Sequence, residues 1–150
     1  MRLLRVRKTS IAMALMLVLG GCTKTVGPQK LSQPVYDAGR RAVPLFQKAN
    51  QLRDAPKKDF DPQFTLFSKA ADDVGHMSCN CSDAAVRNAD QTFQNDVHNC
   101  VTFLTTYREA REKMRVAQLK DEFDQAVTEK DSAAAVLSNC DAGLSRATRK

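Results

Sequence analysis

At 150 residues, with 43% hydrophobic and 27% charged side chains, the chain has material for one modest core rather than two domains. Its formal charge of +6 looks basic, but four of its 23 Lys and Arg (Arg2, Arg5, Arg7, Lys8) fall in the first eight residues, and the first 21 contain no Asp or Glu. Residues 22–150 hold the other 19 cations against 17 anions, a near balance that removes the main support for nucleic-acid binding.

Those four cations precede an apolar run, Ile11 to Leu19, and then Leu19-Gly20-Gly21-Cys22. The run falls far short of the ~20 residues that cross a bilayer as a helix, so residues 1–21 read as a processed export signal rather than an anchor. The Leu19-Gly20-Gly21-Cys22 segment resembles the lipobox of bacterial lipoproteins. That resemblance implies diacylation of Cys22, cleavage before it, acylation of the new N-terminus, and attachment to a lipid bilayer. Thr23 and Lys24 follow in place of the Asp that retains such lipoproteins at the inner membrane, which implies the periplasmic face of the outer membrane. Residues 22–58 carry eight cations and two anions, so the part next to the lipid would also attract anionic headgroups. An ordinary solvated helix face accounts for the same charges equally well.

Residues 22–33 are polar, contain Gly27-Pro28 and show no apolar period, so they are expected to be a lipidated tether. Ten extended residues reach ~35 Å at most, which keeps the folded part near the membrane.

Residues 34–150 are expected to form a single all-helical domain. Val35, Ala38, Ala42, Leu45, Ala49 and Leu52 recur at three and four residues and make one apolar face. Pro34 suits the helix start, Pro44 predicts a kink or break, and the helix should end near Asp54-Ala55. Lys57 to Phe60 reads as a loop. Asp61-Pro62 then opens a second helix whose stripe is Phe64, Phe67, Ala71 and Val74, ending at Gly75. Ser82 is the expected cap of a third.

From Ser82 to Lys130 no Gly or Pro occurs, while Val86, Phe93, Val97, Cys100, Leu104, Tyr107, Met114, Phe123 and Val127 keep mostly helical spacing. One straight helix of nearly fifty residues would be ~70 Å long, so a hairpin or a bend is required. Asn95-Asp96 and Lys120-Asp121 are the two candidate positions. Asp131 reads as the cap of a last helix through Ala134, Leu137 and Leu144, loosened at Gly143. No strand-like alternation is visible. The expected fold is a small all-α bundle, or helical hairpin, of about four helices.

With Cys22 taken by lipid, Cys79, Cys81, Cys100 and Cys140 remain, an even number that in an exported chain predicts two disulfides. Each would stabilise by ~2–4 kcal/mol. A straight helix from Ser82 to Cys100 spans ~27 Å, too far for a bridge, whereas Cys100 and Cys140 are equidistant from residue 120 and a turn there would lay them together. A bond within Cys79-Asn80-Cys81 closes a small strained ring. The favoured pairing therefore joins Cys79 and Cys81 each to a distant partner, Cys100 and Cys140. The alternative is Cys100–Cys140 with Cys79–Cys81 as a labile redox pair.

His76, Cys79, Cys81, His98 and Cys100, with Met77, are soft-metal ligand types, but no Cys-x₂-Cys pair occurs and disulfide formation competes for the thiols. No nucleophile elbow, zinc-protease motif or phosphate loop is present. Asp72-Asp73 point in different directions on a helix and read as solvated surface. Phe60, Phe64, Phe67 and Phe93 read as core, one of them possible as the lining of a groove for a partner peptide.

The expected protein is thus a non-enzymatic lipoprotein without cofactor, which binds or positions another envelope protein by helix-in-groove docking. Accessory lipoproteins of secretion and conjugation machines are similar in size, helical character and anchoring. The alternatives are an exclusion or immunity lipoprotein against phage, plasmid or toxin, and a redox or metal-handling envelope protein.

Overall fold

The computed structural model describes residues 25–149; the expected export signal and the expected lipidation at Cys22 lie outside the described residues. The elements run β1 (Thr25–Val26), β2 (Leu31–Ser32), α1 (Gln33–Gln51), α2 (Lys57–His76), α3 (Ala84–Val116) and α4 (Lys120–Ala147). The protein is all-α, a four-helix bundle with two disulfides, and the small antiparallel hairpin β1–β2 sits at its N-terminal edge.

The hairpin corrects the expected tether. Thr25 pairs with Ser32 and Val26 with Leu31, and the Lys30 N–H donates to the Gly27 carbonyl at 3.1 Å. Gly27 has a φ of 75°, a left-handed conformation that suits glycine. Its backbone also lies so near α4 that a Cβ would stand 2.9 Å from the Ala147 carbonyl oxygen. Leu31 and Ser32 are fully buried, and the Ser32 N–H donates to Asp90 Oδ1 of α3 at 2.9 Å. One apolar residue and one buried hydrogen bond thus fasten a segment whose sequence has no periodicity to reveal it.

Two prolines stand inside helices without ending them. Pro44 is exposed in α1, and the amide hydrogen it lacks would have served the carbonyl of Arg40, also exposed, so water can replace that bond. Pro62 lies in α2 on the same terms, opposite exposed Lys58. The second helix begins not at Asp61 but at Lys57, where the Pro56 carbonyl accepts from Asp59 and Phe60. That earlier start adds a turn and buries Phe60.

The third helix begins one residue later than expected, at an Asp83 cap that accepts from the Ala85 N–H at 2.8 Å. It passes Asn95-Asp96 without a break, because Phe93, Val97 and Cys100 share one buried stripe that a bend there would divide. The chain turns at residues 117–119 instead. Lys113 and Arg115 close α3 and Asp121 and Glu122 open α4, each sign matched to its helix end. The Glu122 carboxylate also accepts from the Gln118 and Leu119 N–H groups. No new helix starts at Asp131, and Gly143 lies within α4, not at its end.

The core joins all four helices through Val35, Phe46, Phe67, Val74, Phe93, Leu104, Leu137 and Leu144. Phe46 and Phe67 meet at 5.3 Å between ring centroids. Gly39 lets α1 settle on α3, since a Cβ there would stand 2.6 Å from Phe93 Cε1. No helix among the described residues is long and apolar enough to cross a membrane.

Candidate docking groove at the bundle end

The helices are unequal. α1 and α2 have 19 and 20 residues, whereas α3 and α4 have 33 and 28. The α1–α2 turn lies level with Tyr107, whose hydroxyl donates to Asp54 Oδ1 at 2.8 Å. From Tyr107 to Val116 α3 continues about 14 Å at the usual helical rise, its residues up to Arg111 still reaching the α1–α2 turn and the start of α2. Beyond Ala110 on α3 and before Ala126 on α4 no side chain is fully buried. Val116 is 58%, Leu119 64% and Phe123 42% exposed.

Where α1 and α2 stop, this overhang forms one wall of an open groove of about 1130 Å³. Phe60 and Phe64 make its floor, stacked at 5.3 Å and 17°. Met114 and Phe123 line the overhang side. Arg108 holds the floor in place. Its guanidinium lies 4.6 Å from the Phe60 centroid and donates to the carbonyls of Arg53 (3.0 Å) and Ala55 (2.7 Å), which fastens the α1–α2 turn to α3.

The rim is charged, with its partners supplied internally. Arg111 faces Asp54 at 3.5 Å, Lys57 faces Asp61 at 4.0 Å, and Arg115 Nε donates to both Glu112 oxygens at 3.1 Å. The hydrogen bond to Arg115 holds the Glu112 carboxyl below its ordinary range. Behind the overhang, the Lys113–Glu129 hydrogen bond ties α3 to α4, raising the lysine and lowering the glutamate. Burial, and then the bond to Asp54, push the Tyr107 phenol above its usual value of 10.0.

Phe60, Phe67 and Phe93 are core as expected, and Phe60, at the core's edge, forms the groove floor together with half-buried Phe64. Phe123 and Met114, expected only as members of a helically spaced apolar series, line the groove. Periodicity placed them on the correct face, but only the lengths of the other helices decide what covers that face. Arg108 carried no sequence signal, because its role depends on a turn 53 residues away.

The cysteines correct the favoured pairing. Cys100 bonds Cys140 and Cys79 bonds Cys81, at Cα separations of 5.9 and 5.0 Å. The turn at 117–119 brings α3 and α4 side by side, which puts Cys140 within reach of Cys100, while unbroken α3 carries Cys100 away from the 79–81 loop. All four sulfurs of the described cysteines are therefore in disulfides. His76 is exposed at the end of α2, with Nδ1 2.7 Å from the Asp72 carbonyl oxygen, and His98 is exposed on α3. Among the described residues no three or more His, Cys, Asp or Glu side chains are grouped to hold a metal ion. Asp72 and Asp73 are both exposed. Comparison with protein-family models, with curated proteins and with solved structures gives no match for this chain.

Proposed function

We propose that this chain is a membrane-anchored envelope lipoprotein, acylated at Cys22, that receives an amphipathic helix of another envelope protein in the groove between Phe60, Phe64, Met114 and Phe123. The role is non-enzymatic. The observation that carries it is the polarity of the bundle. The chain enters the fold at Thr25, three residues after Cys22, beside Asp90 and Ala147. The groove lies at the opposite end, and α3 rises roughly 27 Å between Asp90 and Arg108. A lipid at Cys22 would hold one end against the bilayer and present the groove away from it.

The groove's chemistry supports a helix as occupant. Its volume exceeds the ~300–1,000 Å³ usual for small-molecule pockets, and its apolar floor is fixed by stacking and by Arg108 before any partner arrives. Most of the rim charges already pair with one another, Lys57 with Asp61, Arg111 with Asp54 and Arg115 with Glu112. A partner would therefore be chosen mainly by its apolar stripe, with weak dependence on salt.

A photo-reactive residue at position 123, and a control at exposed Leu66 outside the groove, test this in intact cells that express the acylated chain. Cross-links from 123 alone, mapped to an amphipathic helix of one envelope protein, are expected. Equal cross-linking from both positions, or cross-links to lipid alone, would overturn the docking reading. A mature chain that carries no acyl group would overturn the anchoring.

A further inference from the structure

We propose that Cys79–Cys81 is an exchange-active disulfide, which takes two electrons from an incoming protein dithiol while Cys100–Cys140 holds the bundle together. Each bond joins a buried cysteine to a half-buried one, Cys81 to Cys79 and Cys100 to Cys140, so what separates them is the length of chain each closes and the elements each ties. Cys100–Cys140 joins α3 to α4 across 40 residues, and Cys100 is fully buried. Cys79–Cys81 spans two residues in the loop between α2 and α3, so it constrains almost nothing in the unfolded chain and the fold gains little from keeping it.

The loop is held independently of its disulfide. At one end Gln94 Nε2 donates to the carbonyls of Val74 (2.9 Å) and Met77 (2.6 Å). At the other, Arg87 Nη1 donates to those of Cys81 (2.6 Å) and Ser82 (2.8 Å). Between the clamps Ser78 and Asn80 are exposed, Cys79 is half-buried and Cys81 is buried. Opening the bond should therefore leave the backbone, and the two sulfurs' proximity, unchanged.

These differences order the exchange. A thiolate of the donor attacks the more accessible Cys79 Sγ, forming a mixed disulfide, and the Cys79–Cys81 bond breaks with Cys81 leaving as thiolate. Arg87 places a permanent cation on the Cys81 carbonyl, and α3 begins three residues later; both favour that leaving group. The donor's second thiol then attacks its own sulfur of the mixed disulfide and releases Cys79. The donor ends as a disulfide, and the pair ends as two thiols that have gained two electrons and two protons. Exchange with another disulfide runs the same steps backwards and restores the bond.

The test equilibrates the folded chain against graded dithiothreitol, alkylates the free thiols and maps them by mass. Cys79 and Cys81 are expected to open at about tenfold less reductant than Cys100 and Cys140, with helical circular dichroism unchanged. The Cys81→Ser variant should trap one glutathione on Cys79 from oxidised glutathione, and the Cys79→Ser, Cys81→Ser double variant should stay folded. If the short bond opened only together with Cys100–Cys140, or if opening it melted the helices, the proposal would fall. Failure of the Cys81→Ser variant to form the adduct while folded would have the same consequence.

Discussion

The lower part of this molecule, where four helices meet, and the overhang, where α3 and α4 continue alone, are built from the same two long helices with the same kind of side chain. In the four-helix part Phe93, Val97, Leu104, Leu137 and Leu144 are buried to within a percent or so of completely. In the overhang Val116, Leu119 and Phe123 are about half exposed. The overhang is richer in charge, but apolar residues at helical spacing occur in both regions, and the number of layers decides which of them are covered. An apolar stripe becomes core only where another element arrives to cover it, and the α1–α2 turn at residues 52–56 sets where that cover ends.

The comparison is tested most strongly by truncating one aromatic in each region. Phe46→Ala removes a fully buried ring packed on Phe67 and is expected to cost about 3–5 kcal/mol, the range for large core truncations. Phe123→Ala removes a ring that is 42% exposed and should change stability by no more than about 0.5 kcal/mol, while weakening partner cross-linking from a photo-reactive residue placed at Met114 in the same groove. Urea denaturation of both variants measures the contrast. Similar losses would mean that the overhang is part of the core.

The two disulfides divide in the same way. Replacing Cys100 and Cys140 by Ser should lower stability by about 2–4 kcal/mol, because the bond closes a loop of some forty residues. Replacing Cys79 and Cys81 should lower it by about 1.5 kcal/mol or less on the same entropic reckoning. Melting temperatures of the two double variants give the order, and a reversal would place the structural staple in the loop.

How much of this was readable in the sequence depends on the range of the interaction concerned. Helical spacing gave the all-α class and the face of each helix, since that signal lies within one or two turns. The capping tendency of Asp marked Lys120-Asp121 as one of two candidate bends, and the turn at residues 117–119 lies beside it. Prolines misled where solvent compensates them, because spacing alone does not say that Arg40 and Lys58 are exposed. The disulfide pairing followed from which of two bends is real, and that is decided by the shared burial of Phe93, Val97 and Cys100. The groove was readable only in its aromatic residues. Its shape comes from unequal helix lengths, and its rigidity from Arg108 reaching the α1–α2 turn.

Asp90 sharpens the comparison at the N-terminal edge. Its buried carboxylate accepts the Ser32 N–H and is the side chain that fastens the hairpin to α3 by a hydrogen bond. Asp90→Ala leaves that amide buried without an acceptor and is expected to cost about 1–3 kcal/mol. Hydrogen exchange should then quicken at Leu31 and Ser32 and stay unchanged near Phe123. If exchange at the hairpin did not change, Leu31 burial alone would hold it.

The smallest effect lies at the border between the regions, where Tyr107 is the last buried aromatic of α3. Its hydroxyl donates to Asp54, which also faces Arg111, and the Arg53 guanidinium lies 4.9 Å from its ring centroid. Burial, then the bond to Asp54, favour the neutral phenol and raise its folded value above 10.0. The unfolded chain has no such shift, so the folded state binds this proton more tightly. The stabilisation is complete below about pH 10 and is lost as pH rises through the raised folded value, with no change near neutrality. Tyr107→Phe should abolish that alkaline dependence and cost no more than about 0.5–1.5 kcal/mol at neutral pH, since Asp54 is largely exposed and can turn to water. A phenolate absorbance titration of both proteins measures the shift. An ordinary value for Tyr107 would mean that water reaches the α1–α2 turn, and the four-helix part would then end a turn of α3 earlier, at Leu104.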